Sequence, residues 1–91
     1  MASTDWRRFF TEWPDDLPKR GVIIAAFGEQ IPFSGFLTGE RFLLLERQTP
    51  DTSGARTLLF SYEQVTALKI IDVVKPSVFR QLGFNGSLSA P

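Results

Sequence analysis

Any acid–base chemistry in this chain rests on carboxylates alone. Ten acidic residues are present, with no His and no Cys. Imidazole bases, thiol nucleophiles, disulfides and the usual zinc ligands are therefore excluded. Two carboxylates flanking a bond can perform glycosidic acid–base work, and Asp15-Asp16 is the neighbouring pair. Adjacent residues in a connector point apart, so the pair reads as solvated. Glu46 stands beside Arg47 and reads as a surface ion-pair partner. Gly83-Phe84-Asn85-Gly86-Ser87 reads as a flexible tail, since it lacks the spacing of a phosphate-binding loop. A chain of 91 residues leaves little room for a substrate cleft. The expectation is a protein that is not a conventional enzyme, with no catalytic residue, no cofactor and no metal.

Arginines and aromatics offer a second chemistry. Arg41, Arg47 and Arg56 would share one rim if the strands carrying them pair, with Tyr62 and Phe60 close by. Guanidinium groups beside aromatic faces make a platform for single-stranded nucleic acid. Acidic and basic side chains balance at ten each, so the plainer reading is a solvated rim. Asp51-Thr52-Ser53-Gly54 is similar to the start of the Asp-x-Ser-x-x-Gly motif of PilZ cyclic-dinucleotide receptors, but Arg56 stands where the last Gly is needed. The stretch reads as a turn.

Apolar surface is the third candidate. The chain carries nine Phe, two Trp and one Tyr. Trp6, Phe9, Phe10 and Trp13 recur at i, i+3, i+4 and i+7, on one face of a helix. Ser3 or Thr4 would cap that helix, and Pro14 would end it near Glu12 or Trp13. So short a helix must dock on something. Its own sheet is the plain choice. A membrane surface is disfavoured by Asp5 and Glu12. Phe79, Leu82 and Phe84 add a second apolar set in the tail. The interface is expected to draw on Trp6, Phe9, Phe10, Trp13, Phe60, Ile70, Phe79 and Leu82. It would bury them within an oligomer or offer a groove to another protein.

The elements that must position these residues follow from punctuation and pattern. Pro14 to Pro18 is a rigid connector. Strands are expected over 22–27, 31–38, 42–47, 56–61 and 65–74. Pro32 implies an edge or bulge in the second strand, and Gly35 a bend. Phe42-Leu43-Leu44-Leu45 lacks alternation, which predicts a third strand buried on both faces. The fifth would carry Val65, Ala67, Lys69 and Ile71 on one face, and its far end would project beyond the sheet. Gln48 to Ala55 is an exposed loop, and Tyr62-Glu63-Gln64 a single 3₁₀ turn. Ser77 would cap a short turn ended by Gly83. One domain over 1–84 and a flexible tail over 85–91 complete the organisation. No apolar run reaches the ~20 residues of a membrane span, and Met1 to Glu12 lacks the apolar core of a signal peptide. The lack of Cys fits a cytoplasmic location.

This order of helix, connector, three meandering strands, loop, fourth strand, one-turn link and fifth strand resembles the Sm-like family of small, strongly bent SH3-type barrels. Gly35-Phe36-Leu37 is similar to that family's first motif, and Phe60 to Leu68 to the spacing of its second. The resemblance implies an all-β, five-stranded barrel with an N-terminal helix. It also implies a ring in which strand four of one subunit pairs with strand five of the next. The family's RNA-binding residues are not matched. Thr38-Gly39-Glu40-Arg41 replaces its Asp and Asn turn, and Ser61-Tyr62 its Arg-Gly pair. The expected function is thus a self-associating interaction module without enzymatic activity. RNA or single-stranded DNA binding through a non-standard pocket is the alternative.

Overall fold

A computed structural model describes residues 2–88. Residues 89–91 of the expected flexible tail, and Met1, lie outside the described residues. The helix α1 spans Ala2–Thr11. It starts earlier than its capping residues predicted, so Ser3 and Thr4 sit within its first turn. Its aromatic face packs on the chain's own sheets. Phe10 and Trp13 are buried, and Trp6 and Phe9 lie half-buried against the core. The connector is fixed by the Trp13 indole, which donates a hydrogen bond to the Leu17 carbonyl at 2.8 Å.

Among the described residues six strands follow rather than five. They are β1 (Gly21–Ala25), β2 (Gln30–Phe33), β3 (Gly35–Thr38), β4 (Phe42–Glu46), β5 (Thr57–Ser61) and β6 (Val65–Lys69). The expected second strand is broken at Ser34, beside the Gly for which a bend was predicted. Its first half pairs with β1 and its second half with β4. The chain thus forms two antiparallel sheets, β2-β1-β6 and β3-β4-β5. Among the described residues the sheets form no closed barrel, because β5 and β6 share no ladder.

Between the sheets lies an aromatic and aliphatic core. Phe36 stands edge-on to Phe10 and to Trp13, with ring centroids 5.2 and 4.9 Å apart. Ile23, Leu43 and Leu45 are fully buried beside them. Burial of such aromatics supplies most of the area that a small domain can remove from water.

Two strands differ from the expected pattern. β4 is not buried on both faces: Leu43 and Leu45 face the core, while Phe42 is 54 % exposed and Leu44 half-buried. A three-stranded sheet covered on one side only forces that alternation. The fifth strand ends at Lys69, five residues early, because β1 begins at Gly21 and offers no partner further on. A bulge also interrupts it. Ile24 pairs with Ala67 and Ala25 with Val65, which leaves Thr66 as the extra residue. Beyond the bulge the faces exchange, so Leu68 and Ile70 join Val65 on the core side. The tail then forms α2 (Pro76–Arg80). Its N-cap is Lys75 rather than Ser77, since Pro76 takes the first helical position. α2 is C-capped by Gln81, and Gly83, at φ 97°, ends the turn that follows.

Candidate functional site

Two surface features bring functional side chains together. The first is the outer face of β3-β4-β5. Leu37 pairs with Leu44, and Leu44 with Leu59, so the three form a row across three strands. Neighbouring strands lie about 4.8 Å apart, so the three are cross-strand neighbours on one face. Leu37 and Leu59 are 67 % and 65 % exposed, and Phe42 extends the row along β4. The row runs to β5, whose outer edge carries no partner strand among the described residues. β6 is the matching free edge at the other end of the strand order. The pleat of the sheet turns these leucines outward, leaving Leu37 and Leu59 in water and Leu44 half-buried between them.

The second feature is a polar cavity of about 370 Å³. Its walls come from three elements. α1 contributes Thr4 and Arg7, the β3–β4 turn contributes Glu40, Arg41 and Phe42, and the β5–β6 link contributes Ser61, Tyr62 and Glu63. α1 packs on the 3₁₀ turn Tyr62–Gln64, which brings Arg7 to the rim. The Arg7 guanidinium donates to the Glu40 carbonyl at 3.4 Å. Tyr62 is 2 % exposed, and its hydroxyl donates to the Gly39 carbonyl at 2.9 Å. Burial raises the Tyr62 pKa, opposed by the positive charge of Arg7.

The four residues assigned to nucleic acid do not share a rim. Arg41 and Tyr62 line the polar cavity at one end of β4. Arg47 follows the other end, where its amide donates to the Arg56 carbonyl at 2.8 Å. Six residues of extended chain separate Arg41 from Arg47 by about 20 Å. The strands do pair as expected, but the arginines flank opposite ends of one strand. Arg7 is the partner that sequence reading missed. Its signal was its place one residue after Trp6, at the flank of the aromatic face that docks on the core.

The residues assigned to an interface also divide. Phe10, Trp13 and Phe60 are buried in the chain's own core, 1 %, 8 % and 7 % exposed. Trp6, Phe9, Ile70 and Phe79 meet around an apolar groove with Leu68 and Phe84. Leu82 lines a neighbouring gap against α1. Asp15 and Asp16 are exposed, as a solvated pair would be. Asp51 accepts from the Ser53 hydroxyl and amide and from the Ala55 amide, which lowers its pKa and closes the loop as a turn. Among the described residues, no group of three or more carboxylates converges to hold a metal ion. No helix there is long and apolar enough to cross a membrane. No protein-family model, curated protein or solved structure matches the chain.

Proposed function

We propose that this chain is a self-associating interaction module without enzymatic activity, built as an Sm-like open barrel whose copies join head to tail. The observation that carries this reading is the pair of free edges, β5 and β6, with a row of exposed Leu37, half-buried Leu44 and exposed Leu59 running into one of them. A bare strand edge exposes unpaired amides and carbonyls and invites another strand. Two different edges that satisfy each other form a heterologous contact, which closes into a ring when the rotation permits. The strand order β6-β1, bent β2/β3, β4-β5 supports the Sm-like reading, since that family joins its fourth and fifth strands between subunits.

Light scattering during size exclusion tests the proposal. The wild-type chain is expected to elute at the mass of several subunits. Leu59→Lys should give a folded monomer, because Leu59 is 65 % exposed and lies outside the core. A wild-type chain that stays monomeric at every concentration overturns the reading.

A specific observation also supports the second reading, a binder of RNA or single-stranded DNA. Arg7 and Arg41 stand at the polar cavity beside Phe42. Two guanidinium groups and an exposed ring suit one phosphate and one stacked base. Phe42 takes the stacking role that the sequence suggested for Tyr62, whose ring is buried. Arg7→Ala and Arg41→Ala should each weaken poly-uridine binding and lower its salt dependence by about one counterion. Equal affinity in wild type and both variants removes this reading.

A further inference from the structure

Asn85 is the only asparagine of the chain, and Gly86 follows it. Such a pair can react with itself. The main-chain nitrogen of the glycine can close a ring onto the side-chain carbonyl carbon of the asparagine, because glycine brings no Cβ to obstruct the approach. Helices and strands suppress this reaction by holding the amide in a hydrogen-bond ladder. Asn85 and Gly86 lie beyond α2, belong to no helix or strand, and are both exposed. Among the described residues the Gly86 amide donates to no acceptor. The Asn85 side-chain amide donates to the Gly83 carbonyl at 3.4 Å, an exposed bond too long to hold it in place. The firmer tie on this loop runs from the Arg80 guanidinium to the Gly86 carbonyl at 3.0 Å. It fixes the carbonyl and leaves the reacting nitrogen open.

We propose that Asn85-Gly86 is a self-modifying site, at which the chain loses ammonia and gains a carboxylate. The Gly86 amide gives its proton to a solvent base. Its nitrogen bonds to the Asn85 Cγ, the Cγ–Nδ2 bond breaks, and Nδ2 leaves as ammonia with a proton returned by solvent. The product is a succinimide. Water then adds at one of its two carbonyl carbons. Addition at Cγ breaks the new N–Cγ bond and leaves an aspartate in the ordinary chain. Addition at the main-chain carbonyl carbon breaks the original peptide bond and leaves an isoaspartate. The balance is one water consumed and one ammonia released, with nothing oxidised or reduced. Either product takes the chain from charge balance to a net negative charge. The isoaspartate also adds one carbon to the main chain between Phe84 and Gly86, which displaces the Gly86 carbonyl from Arg80. Among the described residues the hydrogen bonds of Asn85 and Gly86 stay within this loop and α2, so the change spares the sheets.

Incubation of the full chain at mildly alkaline pH tests this, followed by isoelectric focusing and by intact and peptide mass spectrometry. One acidic species should grow, heavier by the difference between water and ammonia and mapped to residue 85. An isoaspartate-specific methyltransferase should label part of it, which separates the two ring openings. Asn85→Gln and Gly86→Ala should each slow its formation at least about tenfold, the first by enlarging the ring and the second by crowding the nitrogen with a Cβ. A Cβ at Gly86 meets no atom within 4 Å, so the alanine is strained only by φ 107°. A loop without protective structure reacts as the unfolded chain does, so the folded rate should lie within about threefold of that in guanidinium chloride at the same pH. A folded rate below about a tenth of the denatured one shows that the fold shields the site, and overturns the proposal. So does an acidic species that maps elsewhere, one that forms equally fast in both variants, or the lack of any in the wild type.

Discussion

The Tyr62 hydroxyl donates a hydrogen bond to the Gly39 carbonyl at 2.9 Å, tying the link between β5 and β6 to the turn between β3 and β4. Two of the three walls of the polar cavity are thus held together by the side chain of the single tyrosine of the chain. Tyr62→Phe keeps the buried ring and removes the bond. It should cost about 1 kcal/mol, seen as a fall in melting temperature of about 4–8 °C for a domain of this size. An unchanged melting temperature would show that the turn is held by other means.

The same hydroxyl has a pH signature. Its pKa is raised above the ordinary 10.0 chiefly by burial. The folded state therefore holds the phenol proton more tightly than the unfolded state. The stability this contributes is present below the ordinary value and lost as pH rises through the folded one. Phenolate absorbance reports the group directly because no other tyrosine interferes. Its midpoint should lie above 10.0 in the folded protein, shifting down in denaturant.

Gly21 opens β1 where β6 ends. A Cβ there would stand 2.6 Å from the Lys69 carbonyl oxygen, a backbone atom that cannot swing away. Gly21→Ala should destabilise the fold by about 1–3 kcal/mol through overpacking, measured by denaturant unfolding. Gly54→Ala serves as a contrast: nothing lies within 4 Å of a Cβ there, and its cost comes from φ 87° alone.

Asp72 and Arg20 form a forked pair, with guanidinium nitrogens 3.0 and 2.5 Å from the two carboxylate oxygens. Hydrogen bonding to Arg20 lowers the Asp72 pKa in the folded state. Its contribution is full above the ordinary carboxylate range and disappears as pH falls through the folded value. Asp72→Asn should flatten the acid side of the stability profile and leave the alkaline side unchanged. The check is thermal unfolding across the acid range. An acid limb identical to that of wild type would dissolve the link.

Much of the fold was legible from local pattern. The helix followed from four aromatics at i, i+3, i+4 and i+7. The 3₁₀ turn, the exposed loop over 48–55 and the glycine stop at Gly83 followed from punctuation. What failed depended on neighbours. Alternation in β6 was read through Thr66 because a bulge is set by register against β1, which no single strand reveals. The apolar run from Phe42 to Leu45 was read as doubly buried because a strand's own residues do not say whether a second layer covers its outer face. Here Phe42 stays largely in water and Leu44 is only half-buried. The arginine platform failed because pairing β4 with β5 says nothing about which end of β4 each arginine flanks.

Composition alone determined that no thiol or imidazole chemistry operates here, since those groups are absent. Periodicity alone determined that a short aromatic helix precedes a strand-rich body, since side-chain direction repeats with backbone geometry. Tertiary structure decided everything that depends on which surfaces meet. It sent Phe10, Trp13 and Phe60 to the core and left Leu37 and Leu59 in water. It split one bent strand between two sheets, and set Arg7 against the β3–β4 turn, 33 residues away in the chain. Burial and proximity are properties of long-range packing, and local sequence fixes only the faces that are available for it.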